Sequence, residues 1–171
     1  TPKLAYINLS KDNKKYKEIN GMILMNSTNS NIEGDEKYDT IIFAKRNIKD
    51  VTIPKYVSLL VHVHHLIVLN SSLNSITIPD QVVEIKANSF TNCLSLNQVN
   101  FSDKSQLKLI DEMAFSNSSI LQISIPSEVV SIGNKAFENC NKLKQVIFSE
   151  KSKLSVIGND LFTNTIIEKI R

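Results

Sequence analysis

Much of what enzymes and nucleic-acid binders are built with is scarce in this chain. Its 171 residues include only four glycines, and they form no phosphate-cradling loop. No G-x-S-x-G nucleophile turn and no H-E-x-x-H metal helix is present either. The carboxylates Asp111 and Glu112 are adjacent in sequence, but they read as outer-side residues of a turn. Charge of one sign is also lacking. A net charge of +3 is too small for a phosphate-binding surface, which normally shows clustered Lys and Arg. The densest basic stretch, Lys14-Lys15-Tyr16-Lys17, sits beside Asp12 and Glu18 and reads as a solvated turn. No apolar run approaches the ~18 residues that a membrane helix needs. The longest, Val57 to Leu69, is interrupted by His62, His64 and His65. Thr1-Pro2-Lys3 opens without a secretory signal, which says little about location if the chain is a piece of a longer one. Two cysteines do not settle a redox compartment. These absences point away from an enzyme, from nucleic acid and from membrane insertion in this segment, and no cofactor or metal is expected.

What the chain does have is a repeat. Segments opening at Leu73, Leu96, Ile120, Leu143 and Ile167 lie 23, 24, 23 and 24 residues apart. Each carries an apolar residue three positions on: Ile76, Val99, Ile123, Val146 and Ile170. In the four complete units another follows two later, at Ile78, Phe101, Ile125 and Phe148. The second half of each unit is stricter. Val82, Leu107, Val129 and Leu154 precede Ile85, Ile110, Ile132 and Ile157 by three. Five residues further stand Phe90, Phe115, Phe137 and Phe162, and two beyond these Asn92, Asn117, Asn139 and Asn164. A super-period of 47 residues relates Pro79 to Pro126, Cys93 to Cys140 and Phe101-Ser102-Asp103-Lys104-Ser105 to Phe148-Ser149-Glu150-Lys151-Ser152.

A fixed period in this range signals a solenoid of stacked units, here about seven coils. The opening of each unit alternates apolar and polar residues, the period-two mark of a half-buried strand. Proline after that strand in two units removes a donor and ends the pairing. The small residues before the phenylalanine (Ser89, Ala114, Ala136) suit one helical turn that plugs the ring inward. The expected fold class is therefore α/β: a solenoid with short parallel strands on the concave face, and short helical turns with extended segments on the convex side. The asparagine column is expected to be structural, a ladder whose amides satisfy backbone groups at the bend.

Residues 1–171 read as one solenoid, a fragment of a longer array. Residues 11–47 form an elaborated unit in which the Asn20-Gly21 turn, Met22 to Met25 and Tyr38 to Ala44 suggest a hairpin projecting from the solenoid. Residues 48–72 are a degenerate unit without the phenylalanine and asparagine. Residues 73–166 make four regular units, and 167–171 start another.

The best unit, Ile120 to Asn141 (ILQISIPSEVVSIGNKAFENCN), closely resembles the BspA-like leucine-rich repeat family. Asn13…Tyr16…Gly21-Met22-Ile23-Leu24 resembles the elaborated hairpin unit of the same family. The resemblance covers essentially the whole chain and is weakest over 48–72. It implies a leucine-rich repeat solenoid and a place on the surface of bacteria or protists, in adhesin-like proteins that bind host matrix or cell-surface proteins. An intracellular scaffold in the cytoplasm, or a structural stalk presenting another domain, are the other functions such a fold could serve.

Single residues fit the repeat first. Cys93 and Cys140 occupy one column two coils apart. At ~4.8 Å per coil they lie roughly 10 Å apart, beyond the ~7 Å a disulfide tolerates. His62 and His64 would share a strand face, but no acidic or cysteine partner stands near them, so they are expected to bind no metal. Five N-x-S/T sequons occur, at Asn8, Asn26, Asn70, Asn100 and Asn117, against about three expected by chance. A ligand would meet the outward residues of the concave strands. These are Lys49, Asp50 and Thr52, then Asn74, Ser75 and Thr77, then Asn97, Gln98 and Asn100. Leu121, Gln122 and Ser124 follow, and then Lys144, Gln145 and Ile147. The surface is mostly amide and hydroxyl, which suits a weak or multivalent binder.

Overall fold

The alternating segments fold as strands and the coils stack. The structure is a computed structural model. It describes residues 9–10, 13–19, 22–26, 40–44, 50–53, 59–60 and 73–171, with the backbone alone for 40–44, 50–52 and 59–60. The described residues form fourteen strands in a parallel β-solenoid, and no helix occurs among them.

Each regular coil contributes one longer strand and one two-residue strand. The longer ones are β4 (Asp50–Thr52), β6 (Ser75–Ile78), β8 (Gln98–Phe101), β10 (Gln122–Ile125) and β12 (Gln145–Phe148), and the two-residue β14 (Lys169–Ile170) continues their face. The short ones are β5 (Leu59–Leu60), β7 (Glu84–Ile85), β9 (Leu109–Ile110), β11 (Ser131–Ile132) and β13 (Val156–Ile157). The short strands pair in parallel in chain order and make a second face. The longer strands make the first face, but as two three-stranded sheets, β4-β6-β8 and β10-β12-β14.

In the amino-terminal unit Met22–Met25 and Thr40–Ala44 pair antiparallel, and the residues expected to project between them lie outside the described ones. Strands β1 (Tyr16–Ile19), β2 (Met22–Met25) and β3 (Thr40–Ala44) pair antiparallel in sequence, and β3 then pairs in parallel with β5. They continue the short-strand face along the solenoid axis. Met22 and Leu24 are buried within the main core, which ties β2 to the stack rather than letting it stand away.

The short helical turns are corrected. Residues 87–92, 112–117, 134–139 and 159–164 form runs of β-turns. Alternate N–H groups point in different directions. Those of Ser89, Thr91 and Cys93 donate three residues back, to Lys86, Asn88 and Phe90 (3.2, 3.2 and 3.3 Å). Those of Asn88, Phe90 and Asn92 donate instead to Glu112, Ala114 and Ser116 in the next coil (2.9, 2.7 and 2.9 Å). A helix would direct every N–H along its own axis. Here half are diverted to hold neighbouring coils together. Two residues per unit adopt left-handed backbone, at Asn88/Asn92, Met113/Asn117, Lys135/Asn139 and Asp160/Asn164, with φ between 51° and 60°. Such residues interrupt a right-handed helix.

The core runs through the stack as columns of equivalent residues. Phe115 and Phe137 are wholly buried. Phe90, Phe115, Phe137 and Phe162 stack in one line, with centroids 5.1, 5.5 and 5.7 Å apart and near-parallel planes. The coil repeat of ~4.8 Å places the rings at the offset-stacking distance. The cysteine column lies beside them. Cys93 and Cys140 are buried and form no disulfide, and Cys140 Sγ donates to the Phe115 carbonyl at 3.2 Å. Burial pushes both thiols above their ordinary pKa, which keeps them protonated and unreactive.

Candidate functional site

Parallel pairing sets the outward residues of the longer strands in register. One row runs Asp50, Ser75, Gln98 on the first sheet and Gln122, Gln145, Lys169 on the second. The next runs Thr52, Thr77, Asn100 and then Ser124, Ile147. The residues between them, Ile76, Val99, Ile123 and Val146, turn into the core. The period-two pattern thus separates a lining from a core on each strand.

Of the residues singled out in the sequence, Asn74, Thr77, Asn97, Gln98, Leu121, Gln122, Ser124 and Lys144 are exposed. Ser75, Asn100, Gln145 and Ile147 are half-buried. Lys49 lies outside the described residues, and Asp50 and Thr52 are described by their backbone only. The histidines His62, His64 and His65 also lie outside the described residues, among which no metal-binding group of side chains occurs. Sequence reasoning missed Lys169, which continues the first row beside Gln145 and is exposed. The spacing from Leu73 to Ser75, applied to Ile167, would have found it. Glu168 was missed on the same grounds, and its carboxylate pairs with Lys144 at 3.4 Å.

This surface is neutral along most of its length. Gln98 Nε2 donates to Asn100 Oδ1 at 2.9 Å, which fixes the two amides side by side. Leu121 stands out as an apolar residue 51% exposed among them. Asn97, Gln98, Val99, Asn100, Phe101, Leu121, Gln122 and Ser124 line a cavity of about 450 Å³. It opens between β8 and β10, where the first face divides into its two sheets.

The asparagine column lies at the turn after the phenylalanines. The side-chain amide of Asn117 donates to Asn92 Oδ1, and that of Asn164 to Asn139 Oδ1 at 2.8 Å. The expected partners were backbone groups. In the structure these bonds run between side chains, two coils at a time. The main-chain N–H groups of Asn92, Asn117 and Asn139 bind carbonyls of the following coil. The left-handed φ at all four positions adds a second physical reason for asparagine, which tolerates that region better than most residues.

Residues 68–171 match the family described as BspA type leucine rich repeat region, in six copies. Among solved structures, the pneumococcal vaccine antigen PcpA is similar at a TM-score of 0.63 and 18% identity, covering 91% of this chain. TpLRR, a leucine-rich repeat protein of T. pallidum, is similar at a TM-score of 0.61 and 23% identity, covering 78%. The chain spans 49% of PcpA and 64% of TpLRR. A comparison with curated protein sequences finds no relative.

Proposed function

We propose that this chain, which belongs to the BspA-type leucine-rich repeat family, is a binding module of a cell-surface, adhesin-like protein. Its ligand face is the row of outward residues on the longer strands, and its ligand a host matrix or cell-surface protein. Leucine-rich repeat proteins generally bind proteins, and their solenoid is typically a non-catalytic interaction scaffold. No described helix is long and apolar enough to cross a membrane.

The observation that carries the reading is the alignment of Ser75 with Gln98 on one sheet and of Gln122 with Gln145 on the next. Side chains from successive coils stand in line on a fixed backbone, so a partner meets a preordered surface and little chain entropy opposes binding. The row holds few charges and no described aromatic side chain, which supports a weak contact strengthened by many copies. The test is binding of the chain, monomeric and tethered in several copies, to a panel of immobilised extracellular-matrix proteins. Thr77→Arg with Gln145→Arg is expected to weaken binding at least roughly tenfold, because each introduced charge is desolvated at the contact. The thermal midpoint should hardly move, since these are surface changes. Binding unaffected by this pair would remove the longer-strand face from the reading. A chain that binds no matrix protein in multivalent form would favour a stalk that presents another domain.

On the same reading the column Asn92, Asn117, Asn139 and Asn164 supports the face rather than touching ligand. Asn139→Ala is expected to destabilise by ~1–3 kcal/mol, from the lost amide bond and the left-handed backbone. Asn139→Gly keeps the backbone at ease and loses only the amide, so it should cost about half as much. Urea denaturation of the two variants separates the causes. Equal midpoints would assign the whole effect to the side chain.

A further inference from the structure

We infer that the cavity between β8 and β10 is a subsite for a neutral saccharide, such as a glycan carried by the partner protein. The inference rests on the longer-strand face being the ligand face, and it names the chemistry recognised there.

Two independent observations coincide at this place. The parallel ladder that joins every other neighbouring pair of described longer strands is interrupted here, leaving β4-β6-β8 and β10-β12-β14 as separate sheets. The two halves meet where the Leu121 N–H donates to the Asn97 carbonyl at 3.2 Å. A cavity of about 450 Å³ opens at the same division. Its size lies within the ~300–1,000 Å³ usual for small-ligand sites and suits one or two pyranose rings.

The lining defines the ligand. No residue around the cavity is ionisable, so a charged group placed there would lose water without meeting an opposite charge. Gln98, Asn100, Gln122 and Ser124 offer amide and hydroxyl groups, each able to donate and accept. The bond from Gln98 Nε2 to Asn100 Oδ1 pins both amides. It leaves the Gln98 carbonyl oxygen as an acceptor and the Asn100 N–H groups as donors for the hydroxyls of a sugar ring. Leu121, exposed at the rim, and Phe101, half-buried, supply apolar contact for the C–H face of that ring. A peptide would find hydrogen bonds here too.

The experiment is titration of the intact chain on an array carrying neutral oligosaccharides of glucose, galactose, mannose and N-acetylglucosamine, with sialylated and sulfated glycans beside them. Binding of at least one neutral oligosaccharide is expected, and Gln98→Ala with Asn100→Ala should weaken it roughly tenfold or more. The thermal midpoint of this variant should stay near that of the parent. Absence of neutral-glycan binding, preference for anionic glycans, or equal binding by the cavity variant would each overturn the inference. Matrix-protein binding that survives enzymatic deglycosylation and the cavity variant, yet is lost in Thr77→Arg with Gln145→Arg, would overturn the saccharide subsite alone and leave the protein-binding face standing.

Discussion

Phe115→Ala is expected to lower the unfolding free energy by about 3–5 kcal/mol, as large-to-small changes of buried phenylalanines do. Phe115 is wholly buried, and its ring stacks between those of Phe90 and Phe137 at 5.1 and 5.5 Å. Removing it leaves a void that the coils above and below cannot fill, because their own spacing is set by main-chain bonds. A domain has only ~5–15 kcal/mol of stability in total, so this single change should take a large share of it. Phe162 is half-buried and stacks on Phe137 alone among the described rings. Phe162→Ala should cost about half as much, since it surrenders fewer contacts. Urea unfolding followed by circular dichroism reads both. Equal losses would mean that neither the fuller burial of Phe115 nor its second ring contact adds to stability. Because coils interact chiefly with their neighbours, Phe115→Ala should also split the transition or lower its m value, as cooperativity between the two halves weakens.

Gly133→Ala is expected to cost about 1–3 kcal/mol. A Cβ at position 133 would lie 2.5 Å from the Glu112 nitrogen and 2.7 Å from the Asp111 carbonyl carbon. Both obstacles are main chain, so no side-chain rotation relieves the clash and the coils themselves must separate. That separation strains the bond from the Gly133 N–H to the Ile110 carbonyl, now 2.7 Å. Lys86 holds the same place in an earlier coil and already carries a side chain there. It pairs with Glu84 at the surface, and Lys86→Ala should move stability by no more than about 0.5 kcal/mol. Hydrogen exchange across β9 and β11 is the sharper readout. Faster exchange confined to those strands in Gly133→Ala would place the damage at the close approach, whereas unchanged exchange and an unchanged midpoint would show that the coils yield without cost.

The longer strands were legible because their signal is doubly redundant. Ser75 to Ile78 alternates polar and apolar residues, and the same alternation returns 23 residues later at Gln98 to Phe101. Column membership also placed Cys93 and Cys140 in the core without a bond between them. The turns around the phenylalanines were not legible. Small residues before an aromatic suit a helical turn and a run of β-turns equally well. What decides between them is the left-handed residue two before the phenylalanine, occupied by Asn88, Met113, Lys135 and Asp160. Met and Lys carry no preference for that region, so neighbouring coils impose it. The division between β8 and β10 was hidden for a different reason. Gln98-Val99-Asn100-Phe101 and Gln122-Ile123-Ser124-Ile125 are equally good strands, and nothing in either segment marks the break in the ladder between them. The candidate row was therefore readable residue by residue, while the cavity that interrupts it was not.

The described coils are joined by hydrogen bonds, ion pairs and packed side chains, and Cys93 and Cys140 form no disulfide. A pull applied to the two ends of such a solenoid acts on the outermost coil first. That coil can peel away with few contacts broken at a time, as a zip opens. Each released unit of 23–24 residues adds about 80 Å of extended chain. A module of this build under shear would lengthen in steps and keep its remaining face intact, trading length for tension one coil at a time.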